Sequence, residues 1–359
     1  MLLVDFGERS YKFAVCKQVG QNMEVGAWGV EDMRSLEYGT KSILEKAGES
    51  LDTDPVLLGF SPGVWRAKTF YERIERKDAA LRIVSAEKEE IVENLSQRVR
   101  KKLEDQMQSA SGILAKDVVI EKQRIYRCAI DGYEVPDILG FSGKHLDFQL
   151  LCIFTLAQYR PILNAISQRF KNPSVFHLAE ALGGFSKAKK QDGLYLDMGD
   201  DCTQVVVVKE QQVLFVDQVP RAGKDFTRFL QETLALGENT AKDFKERYAA
   251  GDFSFLLRER VKEGFLNLGK ELLGLVRENL RKAAVSLPPS IRIFGGTSKL
   301  PEIQEIFQGK PLRDLPFSQE PAASPLLPKD LWNFSQFSGK TNPILTPLFL
   351  LPYADKENS

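Results

Sequence analysis

At 359 residues, with 43% hydrophobic and 27% charged side chains, the chain has ordinary globular composition and is long enough for two domains, each with its own core. Its 49 basic and 49 acidic residues cancel, which removes the electrostatic case for nucleic acid or an anionic membrane surface as partner. No run of 18 apolar residues occurs, so a membrane span is not expected.

The chain opens on a strand, Leu2 to Val4, without the basic, apolar and small pattern of a secretory leader. Cys16, Cys128, Cys152 and Cys202 are scattered and form no CxxC, and His145 and His177 are the only histidines. Reduced thiols in a cytoplasm and no zinc site are the expectation. Leu2-Leu-Val-Asp-Phe-Gly-Glu-Arg-Ser-Tyr-Lys-Phe-Ala-Val15 reads as strand, Asp-x-Gly turn and second strand. A third strand is expected at Met23 to Val30, a helix at Ser35 to Ala47, and a strand from Pro55 to Phe60 that ends on Pro62-Gly63.

Ser85 to Met107 is heavily charged, and Ile91, Leu95, Val99, Leu103 and Met107 recur every four positions. That stripe predicts an amphipathic helix with Ser85 as N-cap and Glu87 and Glu89 in its first turn. It is read as packed on a small sheet, with a partner-binding coiled coil as the alternative. The strands of that sheet are Asp117 to Ile120, Ile125 to Ile130 and Leu146 to Phe154. Asp131-Gly-Tyr133 forms a turn, and Pro136, Gly140 and Gly143 punctuate the loop. A helix over Arg160 to Phe170 and another over Val175 to Gly184 lead to Leu194-Tyr-Leu-Asp-Met-Gly-Asp-Asp-Cys-Thr-Gln-Val-Val-Val-Val208, the opening hairpin's pattern again.

Val213 to Val219 is a further strand. Helices are predicted over Asp225 to Leu234, Thr240 to Tyr248 and Phe255 to Val285, the last with an apolar stripe from Leu257 to Leu280. Ile291 to Phe294 is a strand feeding Gly295-Gly-Thr-Ser298. Prolines at 311, 316, 321, 325 and 328 suggest an extended surface segment. Ile344 to Tyr353 carries Pro347 and Pro352, which makes it a poor membrane-surface helix.

A glycine-tipped hairpin exposes backbone N–H groups that hold phosphate oxygens. Ser10 and Thr203 add hydroxyl donors, and Asp5 and Asp197 could orient a hydrated Mg²⁺. One Asp-x-Gly turn is weak evidence, because both residues are ordinary in turns. Two in matched strand contexts, followed by Gly-Gly-Thr-Ser, are far more specific.

The arrangement resembles the actin-like ATPases. Asp5 to Lys12 is similar to their first phosphate motif, Asp197 to Thr203 to the second, and Gly295 to Pro301 to the adenosine motif. Ile130-Asp-Gly-Tyr-Glu-Val-Pro-Asp-Ile-Leu-Gly-Phe-Ser-Gly-Lys-His-Leu146 resembles the small domain of bacterial FtsA. Pro220 to Thr227 and Ala241 to Lys245 fall where FtsA and its pilus relative PilM carry further motifs. The resemblance implies an α/β, actin-like (ribonuclease H-like) two-half fold around a nucleotide cleft, with an inserted α+β domain of FtsA type. The first half would hold residues 1–73 and 172–192, the insertion 74–171, and the second half 193–325, with 326–359 packing back on the first half. It implies ATP and Mg²⁺ as cofactors, bound around Asp5, Gly7, Ser10, Lys12, Asp197, Gly199, Thr203, Gly223, Lys242, Lys245, Gly295, Gly296 and Thr297, with Asp5 and Asp197 reaching Mg²⁺ through water.

The departures bear on the chemistry. Glu8 replaces a threonine of the first loop, Asp200 and Asp201 replace glycines of the second, and Lys242 replaces a glutamate near the ribose. A carboxylate about 5 Å from a phosphate, at an effective dielectric near 20, costs roughly 3 kcal/mol. That is about a hundredfold in affinity, unless Mg²⁺ or Lys12, Lys242 and Lys245 compensate. At most a weak ATPase is expected; no general base is evident, since Glu180 lies off the family position. FtsA ends in a membrane-binding amphipathic helix, whereas this sequence stops about where PilM stops.

The resemblance therefore implies a cytoplasmic scaffold of FtsA type in cell division, with ATP as conformational ligand. Its partners would be a tubulin-like division protein or a membrane-anchored divisome or pilus protein at the inner membrane face. Self-association into filaments is compatible with this. The alternatives are a PilM-like pilus or secretion platform protein and, third, an ATP-dependent small-molecule kinase.

Overall fold

The computed structural model describes residues 1–7, 10–32, 43, 55–170, 172–283, 285–308 and 312–358. The helix expected over Ser35 to Ala47 lies, except for buried Ile43, outside the described residues, as does Glu8 of the first loop.

The first sheet begins with β1 (Leu2–Phe6), β2 (Ser10–Val19), β3 (Asn22–Asp32) and β4 (Val56–Phe60). The chain then leaves through β5 (Arg66–Glu75), α1 (Ser85–Ser111), β6 (Val118–Ile130), β7 (Tyr133–Val135) and β8 (His145–Leu156). It returns by α2 (Arg160–Arg169), β9 (Ser174–Phe176) and α3 (Leu178–Lys189). The second sheet is β10 (Gly193–Met198), β11 (Thr203–Lys209), β12 (Gln212–Val219), β13 (Ser290–Phe294) and β14 (Ala322–Pro325). Between β12 and β13 lie α4 (Gly223–Leu234), α5 (Glu238–Ala249) and α6 (Phe255–Arg281), and α7 (Pro301–Gln308) comes after β13. A two-residue strand, β15 (Asn333–Phe334), and the helix α8 (Thr346–Asn358) complete the elements used below.

The two large sheets repeat one plan. The first runs β15-β3-β2-β1-β4-β9 and the second β12-β11-β10-β13-β14. In each, three consecutive strands form an antiparallel meander, and two later strands add in parallel to the first. This is the ribonuclease H-like order, present twice. The repeated Asp-x-Gly grammar of the sequence therefore reflects a repeat of whole half-domains.

The halves share one of their cores. One cluster joins Leu3, Val4 and Phe60 of the first sheet to Val206, Val208 and Val216 of the second, through α3 and α8. The opposite face of the second sheet, with Val205 and Val207, packs on α4 to α7. Burial on both faces explains why Val205 to Val208 is an unbroken apolar run rather than an alternating one. The α3–α8 contact is close: a β-carbon on Gly184 would lie 2.1 Å from the Tyr353 carbonyl oxygen. The Ile344 to Tyr353 segment is thus a core element, helical from Thr346 and carrying Pro352 inside the helix. Part of the proline-rich stretch is ordered as β14, an edge strand ending on Pro325, where a missing N–H costs no ladder bond.

The insertion is a four-stranded sheet, β5-β8-β6-β7, covered by α1 through buried Ile91, Leu95, Val99 and Leu103. The packed-helix reading of that stripe holds. The helix starts on Ser85 with Val84 at its cap position and no side-chain cap bond, so Ser85 is not the N-cap. The two strands expected at 117–120 and 125–130 are one strand, β6, with register shifts between Ile120 and Lys122 and between Ile125 and Arg127. The boundary also moves. β5 already belongs to the inserted sheet from Arg66, before the expected 74. Leu163 and Ile166 of α2 pack in the core shared by the halves.

The insertion docks on the free edge of β12. The Gln149 side-chain amide donates to the Val213 and Leu214 carbonyls, and the Val216 N–H donates to the Thr69 hydroxyl at 3.2 Å. Lys68 pairs with Asp217 at 3.7 Å. An exposed edge strand invites aggregation, and here the insertion covers it.

Candidate functional site

The C-terminal ends of β1 and β10 carry matched hairpins. Gly7 N–H donates to the Ser10 carbonyl at 2.9 Å, and Gly199 N–H to the Cys202 carbonyl at 3.2 Å. A β-carbon would lie 2.8 Å from the Ser10 oxygen at Gly7 and 3.1 Å from the Cys202 oxygen at Gly199, so this tight closure favours glycine at both tips. The registers set Asp5 opposite Lys12 and Asp197 opposite Gln204. Ser10 therefore corresponds to Cys202. Thr203 corresponds to Tyr11, and its buried hydroxyl donates to the Arg221 carbonyl at 2.8 Å.

Asp5, Lys12 and Asp197 come together across the cleft. Lys12 Nζ lies 2.5 Å from Asp5 Oδ2. Burial pushes the Asp197 carboxyl up to about 7; Lys12 opposes the shift and Asp5 adds to it. Gly295, at φ +88°, brings its backbone against this carboxylate, where a β-carbon would lie 2.6 Å from Oδ1. Among the described residues no three His, Cys, Asp or Glu side chains gather as metal ligands. Of the two carboxylates expected to face Mg²⁺, Asp5 already pairs with Lys12.

The second loop is tied into its own half. Helix α4, which follows β12, begins against this loop, and its first N–H groups are taken by the loop's carbonyls. Gly223 N–H donates to the Gly199 carbonyl at 3.1 Å and Lys224 N–H to the Asp200 carbonyl at 2.8 Å. The Thr297 hydroxyl donates to the same Gly199 carbonyl at 2.7 Å. Lys245 Nζ donates to the Gly223 carbonyl at 2.8 Å and lies 3.6 Å from Asp200 Oδ1, while Lys224 pairs with Asp201 at 3.2 Å. A β-carbon on Gly223 would meet Thr297 Oγ1 at 2.9 Å, Asp200 Oδ1 at 3.0 Å and Lys245 Nζ at 3.1 Å. Lys242 stands three residues before Lys245 on α5, half-buried, and Gly296 is exposed beside Thr297.

Several participants were not singled out from the sequence. Asp225 accepts from the Ala222 N–H at 2.9 Å and pairs with Arg221 at 3.1 Å; the three-residue spacing of a capping box is the signal that could have found it. The Ser298 hydroxyl donates to the Gly295 carbonyl at 2.7 Å and holds that turn. Glu180 has a structural role. It accepts from the His177 N–H at 2.8 Å in a capping box on α3, and it pairs with Lys122 of the insertion at 3.3 Å. His177 Nδ1 accepts from Ala179 N–H, which places the ring proton on Nε2, 3.0 Å from the Gln204 side-chain amide. Burial, with Lys122 nearby, lowers the His177 pKa to about 3, so the ring is neutral. Gln204 Oε1 is the natural acceptor for that proton, with the amide turned so that its oxygen faces His177.

The arrangement of the second half as it stands does not fit the expected nucleotide phosphate. In the second half, the donors that would take phosphate oxygens are engaged by Gly199, Asp200 and Asp201. Among the described residues, Asp5 pairs with Lys12, Asp200 with Lys245 and Asp201 with Lys224.

No protein-family model and no curated protein matches the chain. Among solved structures, it is similar to a chain of a PilM–PilN type IV pilus biogenesis complex, at 15% identity and TM-score 0.64, over 98% of this chain and 96% of that one. It also matches (R)-2-hydroxyglutaryl-CoA dehydratase component A from Acidaminococcus fermentans at 8% identity and TM-score 0.46, over 100% and 99% of the two chains. The ethanolamine utilization protein EutJ from Carboxydothermus hydrogenoformans matches at 18% identity and TM-score 0.38, over 53% and 60%. The fold is the actin-like ATPase fold, two ribonuclease H-like halves meeting at a cleft. The likeness to the chain of the PilM–PilN complex extends over nearly the whole length of both chains.

Proposed function

We propose that the chain is a non-catalytic actin-like scaffold, a docking platform of PilM type that joins a membrane-anchored assembly through the cytoplasmic segment of a partner. The observation that carries this is the second phosphate loop, with Asp200 set against Lys245 and the first N–H groups of α4 spent on the loop's own carbonyls. A kinase or ATPase needs those donors for the transferred phosphate. Likeness along the whole chain to a PilM–PilN complex supports the platform role over an enzyme. None of the described helices is long and apolar enough to cross a membrane, and attachment through a partner meets that condition. In this reading nucleotide is at most a weak conformational ligand, acting by favouring one closure of the halves.

The FtsA-type division role is the second reading, favoured by the Asp131-Gly-Tyr133 turn and the loop to Gly143. In that loop the Asp131 carboxylate accepts from the Lys144 and His145 N–H groups. The test is titration calorimetry with two probes: the cytoplasmic peptide of a PilN-type pilus protein, and the C-terminal peptide of a tubulin-like division protein. Binding of the first alone is the expected result. Binding of the second alone transfers the conclusion to the division role, and phosphorylation of sugars or glycerol would end both.

A further inference from the structure

The strongest unassigned feature is the state of the second half's anion site. A helix N-terminus that opens on a cleft is an anion site because its first N–H groups lack intrahelical partners. At α4 those groups are filled from within the chain. Ala222 N–H is taken by Asp225, Gly223 N–H by the Gly199 carbonyl and Lys224 N–H by the Asp200 carbonyl. The cationic side chains beside them, Lys245 and Lys224, face Asp200 and Asp201. Thr297, from the loop after β13, fastens to the Gly199 carbonyl that Gly223 also uses. One four-residue turn thus gathers β10, α4, α5 and the Gly-Gly-Thr-Ser loop.

We propose that Asp200 is a built-in surrogate for a ligand phosphate: its carboxylate occupies the position between Gly223, Lys245 and Thr297 and latches the second half without nucleotide. The chemistry is direct. A carboxylate offers the anionic oxygen that a phosphate would offer, at a distance set by the hairpin rather than by ligand concentration. Side-chain exposures of 14% for Lys245 and 26% for Asp200 keep the pair out of bulk solvent, where screening would weaken it. A nucleotide must displace Asp200 from Lys245 before its phosphate can enter. The latch rests on the same loop as the non-catalytic reading but not on the identity of the partner: peptide binding tests the partner, and Mg-ATP binding to the Asp200 variants tests the latch.

The test uses Mg-ATP as probe, with titration calorimetry and thermal melting on the native chain, Asp200→Asn and Asp200→Gly. Native protein is expected to show no melting shift with about 1 mM Mg-ATP. Removing the charge is expected to tighten Mg-ATP binding by about a hundredfold. Asp200→Asn keeps the side chain's shape and supplies a folded comparison should the glycine variant melt early. Native binding as tight as that of Asp200→Asn, or no gain in either variant, overturns the proposal. Hydrogen exchange needs no variant: the Gly223 and Lys224 amides are expected to exchange slowly in the free chain and at the same rate with Mg-ATP. Fast exchange that slows on adding Mg-ATP would also overturn it.

Discussion

Gly7 and Gly199 occupy one position in two copies of the same hairpin, each donating its N–H to the carbonyl of the residue three places on, at 2.9 and 3.2 Å. The residues after the two glycines differ. The second copy continues into Asp200 and Asp201, which meet Lys245 and Lys224. Equivalent backbones thus carry different chemistry: the first hairpin faces the cleft with a Lys12–Asp5 pair, and the second is closed on itself.

The junction of the halves depends on Gly184. A methyl group there would lie 2.1 Å from the Tyr353 carbonyl oxygen, so α3 and α8 must separate to admit it. Gly184→Ala is expected to lower stability by about 3 kcal/mol, read from urea unfolding. An unchanged midpoint would mean that the helices do not meet as closely as this.

The buried His177 and the half-buried Asp197 give opposite pH dependences. Asp197, raised from its ordinary 3.8 to about 7, holds more protons folded than unfolded in that interval. Its contribution is complete below about pH 4 and lost as pH rises through 7. His177, lowered from 6.5 to about 3, contributes fully above pH 6.5 and loses that contribution as pH falls toward 3. Asp197→Asn is expected to leave stability rising with pH up to 6.5. His177→Gln is expected to leave it falling from pH 4 to 7, by about 1–2 kcal/mol for a carboxyl partly open to the cleft. Urea midpoints across pH 4 to 8 read both slopes, and parallel profiles in the two variants would contradict the assignment.

The inserted domain is held to β12 by a buried amide. Gln149→Leu removes the donor from the Val213 and Leu214 carbonyls and is expected to cost about 1–3 kcal/mol. Faster hydrogen exchange along β12 should accompany it while the inserted sheet itself stays protected. Uniform loss of protection over the chain would show instead that the insertion is not a separate docked unit.

Most of the architecture was legible in the sequence because it is written in periodicity. The four-residue stripe of α1, the β-branched run of β11 and the paired Asp-x-Gly turns each report a local constraint. The domain boundary was not legible, because β5 alternates as any strand does and nothing local says which sheet receives it. The shared core was hidden for the same reason: Val206 and Val208 look like Val205 and Val207, yet they pack on opposite faces. Asp5, Lys12 and Asp197 were singled out by motif, and the structure brings them near one another. The roles of Gln204, Asp225 and Ser298 depend on contacts between separate elements. Asp200 and Asp201 stood out in sequence as misplaced charges, and only the structure shows the lysines they face.

The most direct test of a self-latched platform is the affinity of the pilus-type partner peptide, measured by calorimetry on the native chain with and without Mg-ATP. A platform latched by its own Asp200 binds the peptide equally well in both conditions. Binding that requires Mg-ATP, or that strengthens tenfold or more with it, would show that nucleotide sets the closure of the halves and would contradict the latch.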